Sequence, residues 1–174
     1  MSTKPTSSTA FEPVEGWPAV PHGITLKEAT SVAVDSNDRV YVFNRGNTPM
    51  VVFDSDGNFL NSWGVGDYLR PHGVHVTPEG NLLLVDDFGH TVKQTSIGGE
   101  FKFVIGAHGE PSDWQKGAPF NRPTDAYVSP VSGDIYVTDG YGNSRVHRFT
   151  PDGEHISSWG EPGTGPGQFS LPHN

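Results

Sequence analysis

The sequence predicts an all-β fold, a propeller assembled from four-stranded blades, on three observations. Groups of four short alternating apolar runs recur, and successive groups start 42, 52 and 49 residues apart. The 22 glycines and 15 prolines, about a fifth of the chain, mark a turn-rich sequence, and apolar residues recur among them too regularly for low-complexity disorder. Helical periodicity is weak throughout. Four short antiparallel strands repeated at this period describe one blade of a β-propeller. A β-sandwich has no reason to repeat its sequence, and the coils of a parallel β-helix are shorter.

The elements follow in chain order. Residues 1–12 read as a flexible tail of Ser, Thr and Pro, and residues 13–174 as a partial propeller. Phe11 to Trp17 is expected to supply an outer strand that closes the ring on its last blade. The first blade runs from Ala29 to Gly64, the second from Pro71 to Gly106 and the third from Pro123 to Gly160. A fourth begins at Leu171-Pro172. Within the third blade the strands are expected at 126–128, 134–138, 145–149 and 155–159. Pro151-Asp152-Gly153 is one of the turns between them, and its residues tolerate the positive φ that tight hairpins need.

Composition excludes several functions. The net charge is −9 and no basic cluster occurs, so a phosphate-binding surface for nucleic acid is not expected. The absence of cysteine excludes disulfides and thiolate metal sites. The first 17 residues hold no apolar signal-like stretch, and no run approaches the roughly 18 apolar residues of a membrane helix, so a cytoplasmic chain without a membrane partner is expected.

Aligning the blades places His72 opposite Thr30, Thr124 and His173, so histidine occupies this column in the second and fourth blades only. Inner strands line the channel of a propeller. In a six-bladed ring, histidines from alternate blades would converge on the axis, and three imidazoles with an open fourth position form a catalytic zinc arrangement. A third ligand would then lie beyond Asn174. The loop before the first strand of a blade and the loop after its second strand share one face. His72 and His173 sit in the first kind of loop, and Arg45 and Tyr141 in the second, so all four gather at one end of the channel. Other positions have plainer readings. Asn44, Asp86 and Asp139 share a column and read as structural turn-formers. His90, His108, His147 and His155 share no column and are expected on the surface. Trp63 and Trp159 read as packing residues. His22, in Pro21-His22-Gly23, is followed by no strand–turn–strand pattern.

The blade pattern is Pro-x-Gly/Asp-Val-x-Val, a strand into Asp, Asn-x-Arg-Val, Asp-Gly-x-Phe and finally Trp-Gly. It resembles the NHL repeat over residues 29–174. Tyr41–Gly46, Arg70–Gly73, Asp139–Arg145 and Pro166–His173 carry a closer resemblance, to the peptidyl-α-hydroxyglycine α-amidating lyases and their bacterial relatives. The resemblance implies a six-bladed ring of which this chain holds the N-terminal half, the rest of the propeller being its structural partner. It implies zinc bound by three histidines, the first two matched by His72 and His173. A structural calcium held partly by backbone carbonyls would fall at Val32 and Val74. Arg45 matches the arginine that holds the substrate carboxylate, a task suited to a guanidinium fork. Tyr141 matches the tyrosine proposed as general base. The implied reaction, in the complete propeller, cleaves the N–C bond of a small-molecule or peptide substrate ending in α-hydroxyglycine, giving an amide and glyoxylate. The alternative is a non-catalytic NHL propeller that binds a protein or other ligand on its top face, and fold alone does not separate the two.

Overall fold

Each repeat folds as one antiparallel meander in the computed structural model, which describes residues 11–116 and 120–173. The first blade consists of β1 (Ala29–Val34), β2 (Val40–Asn44), β3 (Met50–Phe53) and β4 (Phe59–Trp63). The second consists of β5 (Pro71–Val76), β6 (Asn81–Asp86), β7 (Thr91–Ser96) and β8 (Phe101–Gly106). The third consists of β9 (Asp125–Val128), β10 (Ile135–Asp139), β11 (Arg145–Phe149) and β12 (His155–Trp159). In all three sheets neighbours in sequence are neighbours in space. A parallel pair, β13 (Glu161–Pro162) and β14 (Gln168–Phe169), lies in the Gly- and Pro-rich connector after the third blade. No helix occurs among the described residues. These are propeller blades.

The repetition extends to irregular features. The outer strand pair of every blade carries a bulge at the same step, between Val52 and Phe53, Gln94 and Thr95, and Arg148 and Phe149. A glycine of positive φ turns β3 into β4 and its counterparts: Gly57 at 85°, Gly99 at 93° and Gly153 at 88°. A side chain there would strain the hairpin, which is why the Asp-Gly or Gly-Gly pair recurs.

Strand alternation divides the core into layers between blades. On β6, Leu82 and Leu84 face the first blade and pack with Tyr41, Phe43, Met50 and Val52. Leu83 and Val85 face the third, where Ile135, Val137, Ala126 and Phe120 meet them. A strand buried on both faces is continuously apolar, as Leu-Leu-Leu-Val is.

The N-terminal segment departs from its expectation. Residues 11–28 form no strand. The indole N–H of Trp17 donates to the Ser55 carbonyl at 3.2 Å, and its ring lies 6.1 Å from that of Phe53. Ile24 and Leu26 cover Val42, Val51 and Phe53. The segment therefore caps the far face of the first blade with side chains. Pro13, Pro18 and Pro21 lack the N–H groups that a strand edge would need. The expected tail at 1–12 lies mostly outside the described residues.

Candidate functional site

The alternation of threonine and histidine in one column has a structural cause. The Thr30 hydroxyl donates toward the Pro71 carbonyl at 3.3 Å, and the Thr124 hydroxyl toward the Pro172 carbonyl at 3.0 Å. Each threonine thus latches the proline immediately before a histidine, His72 or His173. Asn44, Asp86 and Asp139 hold the connectors that lead into the blades, as turn-formers should. Asn44 Oδ1 accepts from the Lys27 N–H at 3.3 Å, Asp86 from Leu69 and Arg70 at 2.7 and 2.8 Å, and Asp139 from Asn121 at 3.0 Å.

These latches bring His72, Tyr141 and His173 together. The Tyr141 hydroxyl lies 3.1 Å from His72 Nε2 and 2.9 Å from His173 Nε2. The two imidazole centroids are 4.9 Å apart. One phenol proton serves one imidazole, so the contacts require complementary tautomers or a tyrosinate between two N–H donors. His72 is buried, and burial, reinforced by the charge of His173, lowers its pKa to about 4. It is therefore a neutral imidazole at neutral pH, the form that binds metal. Among the described residues no group of three His, Cys, Asp or Glu side chains could hold a metal ion. Both Nε2 atoms face the Tyr141 hydroxyl.

Arg45 stands beside this group but is tethered. Its Nε donates to the Pro71 carbonyl at 3.1 Å, and Nη1 pairs with Glu28 at 2.8 Å. That bond holds the Glu28 carboxyl below its ordinary range. The Val74 N–H donates to Ser31 Oγ at 3.1 Å, which sets Val32 and Val74 on adjacent inner strands, β1 and β5.

Two histidines expected on the surface are buried. His147 is fully enclosed, with Nε2 3.2 Å from Asp139 Oδ2 and Nδ1 2.7 Å from Ser158 Oγ. It props the Asp139 loop from which Tyr141 projects. His90 is also buried, and its Nδ1 accepts from the Arg122 N–H at 3.1 Å. Each is a partner peculiar to its own blade, so comparing blades could not reveal it. His108 and His155 are exposed as expected, and His22 is exposed as well. Trp63 packs in the core between the first two blades, whereas Trp159 remains 42% exposed beside Tyr136.

A further cluster escaped the sequence reading. Asp87 is fully buried, with Arg70 Nη1 at 3.2 Å and Arg122 Nη2 at 3.7 Å. Burial pushes its carboxyl up against the pull of Arg70, Arg122 and Arg45. Both guanidinium carbons lie over the half-exposed Phe88 ring, at 4.5 and 5.0 Å from its centroid, and that of Arg122 also lies 4.5 Å from the Tyr141 centroid. A signal was present: Arg70-Pro71 and Arg122-Pro123 are the same dipeptide at the starts of consecutive blades.

The NHL repeat model matches residues 120–149. The chain is 37% identical to NHL repeat-containing protein 3 of Homo sapiens, over 91% of the chain and 48% of that protein. It is 30% identical to peptidyl-glycine alpha-amidating monooxygenase A of Xenopus laevis, over 91% of the chain and 20% of that protein. It is 29% identical to peptidyl-alpha-hydroxyglycine alpha-amidating lyase 1 of Drosophila melanogaster, over 83% of the chain and 31% of that protein. The chain thus spans from about a fifth to about a half of these curated relatives. Among solved structures, a streptogramin B lyase superimposes with a TM-score of 0.61 at 16% identity, over 79% of this chain and 42% of that one. That likeness supports the propeller fold.

Proposed function

We propose that this NHL-repeat propeller segment supplies active-site residues of a carbon–nitrogen lyase acting on N-acyl-α-hydroxyglycine-type substrates in the complete propeller. The observation that carries the reading is the convergence of His72 and His173 on the Tyr141 hydroxyl. The name of the Drosophila melanogaster relative points to the same chemistry.

In this reading Tyr141, as tyrosinate, takes the proton of the substrate's α-hydroxyl. The electrons of that O–H bond form the carbonyl of glyoxylate as the C–N bond breaks. The proton then passes from the phenol to the departing amide nitrogen, so the products are an amide and glyoxylate. The Arg45 guanidinium faces the substrate carboxylate by exchanging its exposed partner Glu28 for it. His72 and His173 would hold a zinc-type divalent ion, which supplies charge stabilisation at the substrate oxygens when bound. The carbonyls of Val32 and Val74 would serve a structural calcium.

Tyr141→Phe keeps the ring and removes the proton acceptor. Glyoxylate release by the complete propeller should fall by about 10²- to 10⁴-fold with little change in thermal stability. Full activity in that variant would refute the assignment. No glyoxylate release from the parent would favour the non-catalytic propeller.

A further inference from the structure

We infer that Arg70 and Arg122 form a second anion subsite beside the reacting centre, one that takes a carboxylate on the acyl side of the substrate. The inference rests on the lyase reading for the identity of the substrate, but the subsite itself stands on its own geometry.

The two guanidiniums share one counter-ion. Asp87 is fully buried between them, its Oδ2 3.2 Å from Arg70 Nη1 and 3.7 Å from Arg122 Nη2. The Nε of Arg122 is also buried without an acceptor among the described residues. Two guanidiniums thus share one buried carboxylate, in a chain whose total charge is −9. Arg45, by contrast, already pairs with an exposed carboxylate, Glu28, the partner it exchanges for the substrate in the reading above. The side chains of Arg70 and Arg122 are 28% and 32% exposed, so neither is sealed from solvent. A planar fork with free donors in a partly desolvated setting favours a carboxylate over a neutral group.

Position gives the subsite its direction. Arg122 bridges two aromatic rings, Phe88 and Tyr141. The backbone of Arg122 holds φ at 65°, a costly conformation for a side-chain-bearing residue, and the His90 bond fixes its N–H. The cation therefore lies over the face of the Tyr141 ring, while Arg45 donates to the Pro71 carbonyl next to His72. A substrate held at its hydroxyglycine end by Tyr141 and Arg45 would extend its acyl chain across Phe88 toward Arg70 and Arg122. The substrate class so defined is an N-acyl-α-hydroxyglycine whose acyl group ends in an acid, a dianion in place of a monoanion.

The test is calorimetric binding of two unreactive probes to the full chain, N-succinylglycine with an acidic acyl group and N-acetylglycine with a neutral one. The parent should bind the succinyl probe about tenfold more tightly. Arg122→Gln and Arg70→Gln should each abolish that preference while leaving the acetyl probe unchanged, and Arg122→Lys should retain part of it. Equal affinity of the parent for both probes, or equal weakening of both by Arg122→Gln in a variant with parental near-ultraviolet circular dichroism, would overturn the subsite. Glyoxylate assays keep the two readings apart. A succinyl preference without turnover of the hydroxylated substrate would sink the lyase reading and leave the acidic subsite standing.

Discussion

The junction between the first and second blades and the junction between the third blade and residues 171–173 have the same backbone plan and different side chains. In both, a threonine hydroxyl reaches the proline carbonyl before a histidine. In both, Asn44 or Asp139 secures the incoming connector. The next two positions diverge. At the first junction Arg45 adds its Nε to the Pro71 carbonyl, and Gly46 follows. A Cβ on Gly46 would lie only 1.7 Å from the Thr25 carbonyl oxygen, so no side chain can enter there. At the second junction the order is reversed. Gly140 comes first, where a Cβ would lie 1.8 Å from the Pro172 carbonyl oxygen, and Tyr141 then reaches inward to both histidines. A repeated scaffold thus presents a cation on one side and a phenol on the other by exchanging which position must be glycine.

The largest stability effect should come from testing the connector latch. Asn44 Nδ2 donates to the Thr48 and Pro49 carbonyls at 2.9 and 3.1 Å. Asn44→Asp would set a buried carboxylate against both oxygens and should cost about 3–5 kcal/mol in chemical denaturation. A cost below about 1 kcal/mol would mean that asparagine and aspartate are interchangeable in this column.

Gly140→Ala sharpens the second difference. The added methyl meets the Pro172 backbone and should destabilise by about 1–3 kcal/mol, with chemical-shift changes concentrated at residues 171–173. Arg45→Ala, which adds no atom, should leave the first junction's backbone shifts nearly unchanged. Similar shift patterns for both variants would break the comparison.

The smallest effects belong to the threonines. Thr124 touches the Pro172 carbonyl and both the carbonyl and hydroxyl of Thr138, whereas Thr30 touches the Phe43 and Pro71 carbonyls. Thr124→Val should therefore cost about 1–2 kcal/mol and Thr30→Val about 0.5–1 kcal/mol in thermal or urea melts. The reverse ranking would place the stronger latch at the first junction.

Features that recur by column were legible in the sequence. Strand periodicity, the Asp-Gly turns and the alternate histidines all repeat, and repetition is what a single sequence displays. The gathering of His72, His173 and Tyr141 followed from topology, since loops on one face of consecutive blades must meet around the channel. What was hidden belongs to individual blades. His147 is buried because Asp139 and Ser158 flank it, and those three are brought together by pairing between strands of the third blade alone. Glu28 reaches Arg45 from the connector before β1, a contact peculiar to that blade. Phe11 to Trp17, expected as a strand, form none: Trp17 packs on Phe53, whereas Phe11 and Val14 stay exposed. The Arg-Pro pairs were visible yet unread, because their meaning depends on the Asp87 carboxylate buried between them.

The most direct test of the account is a zinc titration of the full chain, following the imidazole nitrogens of His72 and His173 by nuclear magnetic resonance. The account predicts that the Nε2 signals of both residues shift together, saturate at one equivalent and are both lost from the response when either is changed to alanine. Independent shifts, or a response from one histidine that survives removal of the other, would contradict a shared site.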